Sequence, residues 1–270
     1  MATSDAPLEI GRLALTVNDI GAVSAFYQRV LGLQLLSGDG ETALLGAGER
    51  PLIELRADPA ARRRGPREAG LFHTAFLLPD RRDLGAWLHM ASETRVPVAG
   101  ASDHGVSEAI YLSDPEGNGI EIYADRPRDS WRREGDGVAM ITDPLDFDSL
   151  LRAAEAPWRG APEGTVIGHV HLQVGAIPEA EAFYAGRLGL TLTARYQGGS
   201  FFASGGYHHH LAANIWNSRG AGPRSYPSTG LAELELRADP ATCAAITART
   251  GATQFADPWG TEITLTEKEA

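Results

Sequence analysis

Apolar and polar residues alternate along IGRLALTV (10–17) and again along IGHVHLQV (167–174), the period-two pattern of a strand with one buried face. Each is followed by a stretch with helical apolar spacing that runs into nearly the same words, FYQRVLGLQL from Phe26 and FYAGRLGLTL from Phe183. The shared pattern F-Y-x-x-x-L-G-L-x-L is offset by 183 − 26 = 157 residues, and Arg12 and His169 in the preceding strands are also 157 apart. An internal repeat is the economical reading.

A fainter copy lies inside each half. GLFHTAFLLPD precedes the amphipathic RRDLGAWLHMASE, and GLAELELRADP precedes ATCAAITART. These second copies end alike, in DPEGNGIEIY and DPWGTEITLT, where Asp-Pro and a following Gly make a tight turn into a last strand. That turn aligns Glu121 with Thr264. The pattern predicts an α+β chain of four βαβββ units, at 8–57, 68–126, 165–217 and 228–267. The expected modules are 1–130 and 164–270. The connector 131–163, rich in charge, Gly and Pro, carries one short helical stretch in DFDSLLRAAE.

Composition narrows the chemistry. With 270 residues, 43% hydrophobic and 22% charged, the chain can bury sizeable cores. A net charge of −11 argues against nucleic acid or an anionic membrane surface and leaves a small molecule as the expected partner. Cys243 is the single cysteine, so a disulfide and a Cys-rich metal site are both ruled out within the chain, and the expected compartment is a reducing cytoplasm. No apolar run approaches the ~20 residues of a membrane span, and no basic, apolar leader opens the sequence. GAGER and GGSFFASGG lack phosphate-loop patterns and read as hairpin turns.

Four βαβββ units carrying F-Y-x-x-x-L-G-L and D-P-x-G-N-x-I-E resemble the vicinal oxygen chelate superfamily of glyoxalases, bleomycin and fosfomycin resistance proteins and extradiol dioxygenases. The resemblance covers nearly the whole chain and implies paired units whose mixed sheets curl into cups, with metal ligands on the first and last strands of a unit. By alignment of the units, first-strand positions hold Arg12, His73, His169 and Glu233, and last-strand positions hold Glu54, Glu121, Asn214 and Thr264. Pairing in sequence order puts no two histidines in one cup. Pairing unit two with unit three collects His73, Glu121 and His169, two imidazoles and one carboxylate that can hold a divalent metal on one face with adjacent positions open. The remaining cup would then hold Arg12, Glu54, Glu233 and Thr264, an ion-paired set without imidazole.

DHGVSEAIYLSDPEGNGIEIY (103–123) is similar to the corresponding stretch of catechol 2,3-dioxygenases. That resemblance implies His104 near the metal, Tyr111 against a substrate oxygen and Glu121 as an iron ligand. It also implies an acid/base histidine where unit three enters its last strand, and HHLAA within GYHHHLAANIW (206–216) matches with His209. Alternation in a strand sets His208 and His210 on one face and His209 on the other, so the match favours His209 while parity with Asn214 favours its neighbours. Asn214, His210 and Trp216 are expected in a substrate pocket. The implied activity is extradiol cleavage of a catechol-type diol with O2 on Fe(II), Mn(II) being the other ion such a set accepts. The alternatives are a glyoxalase-like isomerase or lyase, which usually has a second carboxylate ligand, and a non-enzymatic binder. A homo-oligomer is compatible with all three.

Overall fold

A computed structural model describes residues 6–135 and 137–268. Two mixed sheets carry the architecture. The first, of seven strands, runs Gln254–Ala256, Glu262–Glu267, Gly230–Ala238, Leu8–Val17, Arg50–Ala57, Thr42–Ala47 and Gln34–Gly38. The second, of eight, runs Thr191–Tyr196, Gly199–Ala203, Leu211–Asn214, Val166–Gln173, Gly70–Leu77, Gly119–Asp125, Ser107–Ser113 and Gly100–Asp103. Units one and four therefore build one sheet, and units two and three the other. The sheets cross the division of the chain at its connector.

Within each unit the first strand runs parallel to the last, and the seam between units is antiparallel. This follows from the βαβββ order, because a helix must return the chain before a parallel neighbour can be laid down. Asp19, Asp80 and Asp239 cap the helices Ile20–Val30, Arg81–Thr94 and Pro240–Thr250, each carboxylate accepting from a backbone N–H of the first turn. The F-Y repeat is buried in both copies, with Tyr27 and Tyr184 wholly enclosed. In the second copy the helix tightens only as far as Ile177–Glu181 and then widens to a π turn over Ala182–Arg187, where the Tyr184 hydroxyl donates to Asp257 at 2.7 Å. One continuous apolar cluster gathers residues from all four units, from Leu8 and Leu55 to Phe76, Trp87, Val170 and Leu236.

The cup of units one and four is closed by charge. Arg12 pairs with Glu54, while Arg56 reaches Glu54 and Glu233 at 2.6 Å each and Thr264 donates to Glu233 at 2.8 Å. The set is ion-paired and holds no imidazole, as the unit alignment anticipates.

The connector is a packed part of the molecule. Its helix Phe147–Ala153 lies on Arg81–Thr94, and Arg81 pairs with Glu108 and donates to the Ser149 hydroxyl at 3.2 Å. Asp103 and Asp143 exchange backbone hydrogen bonds at 2.9 Å, so the segment around Ile141 runs beside the edge strand of the second sheet.

Candidate metal centre

His73, Glu121 and His169 come together in the cup of units two and three because of strand register. His169 stands opposite Ala75 across the antiparallel seam, and Ala75 stands opposite Glu121 across the parallel pair. His73 is two residues from Ala75 on the same face. Its partner across the parallel pair is Gly119, where a Cβ would run into the Phe72 carbonyl oxygen. The missing side chain lets the last strand approach closely enough for the three groups to meet.

Their ligand atoms all lie within 4.8 Å of one another. Nε2 of His73 and Nε2 of His169 sit 3.1 and 3.3 Å from the same oxygen, Oε2 of Glu121. All three residues are buried, Glu121 to 3% exposure, and among the described residues its ion-pair partners are these two imidazoles. Nε2 of His73 and Nδ1 of His169 are enclosed without a hydrogen-bond partner. An anion buried without a fixed cation, beside imidazoles that each keep an unpartnered nitrogen, is costly unless something positive joins it. A divalent metal fits that donor set.

The electrostatics agree. Burial drives the His169 imidazole down to about 4, against the pull of Glu121. Burial would by itself lift the Glu121 carboxyl, but the two imidazoles hold it well below the ordinary carboxylate range. At neutral pH the pair is thus a neutral His169 beside an anionic Glu121, the protonation state that a metal requires of its ligands.

The three groups form one wall of a cavity of about 750 Å³. Tyr111, opposite Glu121 in the adjacent strand, also lines it. Its hydroxyl lies 2.7 Å from His104 Nε2, and His104 Nδ1 lies 2.8 Å from the Ile141 carbonyl oxygen. A carbonyl can only accept, so Nδ1 carries the His104 proton, and Nε2 accepts from Tyr111. Burial raises the Tyr111 hydroxyl well above its ordinary value, and the Glu121 charge adds to this. The phenol is therefore a proton donor across the physiological range.

The triple histidine corrects the expectation of a strand. Positive φ angles of 63° and 69° at Gly205 and Gly206 turn the chain, His208–His210 follow in irregular backbone, and the strand starts only at Leu211. Alternation does not govern them. His209 faces the cavity, its ring 4.0 Å from that of His169 and 5.0 Å from Phe201. His208 lies behind it, fully buried, with Nδ1 2.7 Å from His209 Nδ1 and Nε2 3.0 Å from Asp125. His210 is outside the cavity wall and accepts from the Ser204 N–H, which corrects its placement in the substrate pocket. Asn214 is also set back, donating to His171 Nε2 at 3.0 Å and accepting from the Trp216 N–H at 3.1 Å. It supports the wall and does not line it. Trp216 does line it.

Parity along its strand gives His171 the facing of His169, and it sits opposite His73 with its Nε2 occupied by Asn214. Several cavity residues escaped the sequence reading. Phe72 packs between His73, His171 and Trp216. Met140, Ile141 and Thr142 come from the connector, and no periodicity marks them as wall residues.

Known proteins resemble the chain along most of its length. The sequence model described as Glyoxalase/Bleomycin resistance protein/Dioxygenase superfamily matches residues 9–122 and 166–235, well over half of the chain. The chain belongs to that superfamily. Among curated members, a catechol-2,3-dioxygenase of Bacillus subtilis (strain 168) is 42% identical over 228 residues, 82% of this chain and 80% of the relative. A biphenyl-2,3-diol 1,2-dioxygenase 3 of Rhodococcus globerulus is 31% identical over 165 residues, 57% of this chain and 84% of the relative. Solved superfamily folds superpose along nearly the whole length. Glyoxalase I from Zea mays does so with a TM-score of 0.59 at 15% identity, covering 96% of this chain and 92% of that one. At that identity the likeness concerns the fold alone. No helix among the described residues is long and apolar enough to cross a membrane.

Proposed function

We propose that the protein is an Fe(II)-dependent extradiol dioxygenase that opens a catechol-type ring with O2. The observation that carries this is the buried set of His73, Glu121 and His169 on the wall of a cavity, in a chain 42% identical to a protein named catechol-2,3-dioxygenase. His73, Glu121 and His169 would hold the iron, which when bound would supply the electronic link between the diol and O2.

The chain's own groups handle position and protons. His209, beside His169 and open to the cavity, accepts a proton from the diol and returns one as the ring opens, work that suits an imidazole. Burial, reinforced by His169 and His208, holds His209 well below its ordinary value, so the ring enters the reaction neutral and as a base. Tyr111 donates to a substrate oxygen when it is released from His104, which retains it in the resting site. Phe72, Phe201 and Trp216 give the ring an apolar slot. The volume of about 750 Å³ is more than one unsubstituted ring fills, which favours a substituted or two-ring diol.

A glyoxalase-like reaction fits less well. The other carboxylate on the cavity wall, Glu116, is tied to the backbone N–H groups of Asn18 and Asp19 at 2.8–3.0 Å. A reducing cytoplasm suits both Fe(II) and the free, buried Cys243. Anaerobic loading with Fe(II), followed by a panel of catechols and then air, tests the proposal through oxygen uptake and a yellow ring-fission product. Turnover with Fe(II) is expected; a loaded chain that consumes no oxygen with any diol overturns it.

A further inference from the structure

Asp125 closes the strand Gly119–Asp125, two and four residues beyond Tyr123 and Glu121 on the same face. Its Oδ1 takes two buried contacts, from the Tyr207 hydroxyl at 3.2 Å and from His208 Nε2 at 3.0 Å. Tyr123 lies 2.8 Å from the Tyr207 hydroxyl and completes the chain behind it. His208 is held between the rings of Tyr207 and Trp131, with centroids 4.0 and 5.3 Å away and no exposed surface. Its Nδ1 is 2.7 Å from His209 Nδ1.

We propose that Asp125, acting through His208, fixes the proton of His209 on Nδ1 and leaves its Nε2 lone pair facing the cavity. The polarity of the chain follows from donors and acceptors. A carboxylate only accepts, so the His208 ring must present N–H at Nε2. A neutral imidazole has one N–H, which makes His208 Nδ1 an acceptor. Two ring nitrogens 2.7 Å apart need one proton between them, and it belongs to His209 Nδ1. Nε2 of His209 is then the free base on the cavity side. Without the carboxylate, the His208 proton can move to Nδ1, and the His209 proton then moves to Nε2, where it blocks the lone pair. Asp125 and His208 are positioning residues. Neither lines the cavity, His208 meets the His169 ring edge-on with centroids 6.0 Å apart, and their role rests on the reading of His209 as the proton-handling imidazole.

The histidine tautomers can be read directly by long-range 1H–15N NMR on the full chain loaded with diamagnetic Zn(II). The expected spectrum has His209 protonated on Nδ1 and bare on Nε2, and Asp125→Leu and His208→Phe each lose that signature in His209. With Fe(II) and a catechol, both variants should keep stoichiometric metal and KM while kcat falls about 10²-fold, the lower end of what positioned acid–base catalysis contributes. A wild-type His209 protonated on Nε2, or full kcat in a folded, metal-loaded Asp125→Leu, overturns the proposal. Should the variants fail to fold, the wild-type tautomer still decides. Should the wild-type chain turn over no diol, the functional reading fails, while the NMR result judges the relay separately.

Discussion

At the scale of single residues, groups proposed to hold the metal and groups proposed to move protons differ in what their loss should do. Replacing His73, Glu121 or His169 by Ala should abolish metal retention, read as moles of metal per chain after desalting. His209→Ala should retain metal and lose about 10²–10⁴-fold in kcat. His210 makes a different prediction. Burial drives it down to about 3, with the neighbouring His208 adding to the effect, while an unfolded histidine titrates near 6.5. The depressed value means that its contribution is complete above pH ~6.5 and declines as the unfolded state takes up the proton, until pH falls through about 3. Urea unfolding should therefore show stability falling with acid, and His210→Phe should reduce that slope by up to ~1.4 kcal/mol per pH unit. A slope unchanged in the variant would contradict the assignment. The meeting of His73, Glu121 and His169 was legible in the sequence because repeat alignment fixes strand positions. Asp125 was equally legible by parity with Glu121, but its role depends on His208, whose direction no periodicity encodes.

Among elements, the last strand of unit two and the turn before unit three's last strand decide the site. Gly119 permits the parallel strand to pass the Phe72 carbonyl, so Gly119→Ala should cost about 1–3 kcal/mol as an overpacked site and weaken metal binding together with stability. Thermal unfolding and metal titration would test this, and a variant with wild-type stability would contradict the packing argument. The strands and helices were readable from period-two and helical spacing, and the aspartate caps mark where three helices begin. The triple histidine reads as strand from sequence because the apolar run from Leu211 continues directly from it. The paired glycines at positive φ break the strand before Leu211, and the resulting turn sends His209 forward and its neighbours back. Connector residues 140–142 were invisible as cavity wall, since only their docking beside the edge strand places them there.

For the whole molecule, the exchange of partners has a physical consequence: His73 and Glu121 come from the first half of the chain and His169 from the second. Neither half alone, 1–163 or 164–270, should hold metal stoichiometrically, whereas an equimolar mixture that reassembles the sheets should; tight binding by the first half alone would contradict the shared cup. The repeat revealed four units, but their pairing was settled by what each cup can tolerate, imidazoles around an anion in one and arginine–glutamate pairs in the other. The most direct measurement of the central claim is single-turnover oxygen uptake by the anaerobically Fe(II)-loaded chain mixed with a catechol. One O2 consumed per iron, with a yellow ring-fission product that His73→Ala cannot form, is the predicted result; stoichiometric iron with no oxygen uptake would contradict it.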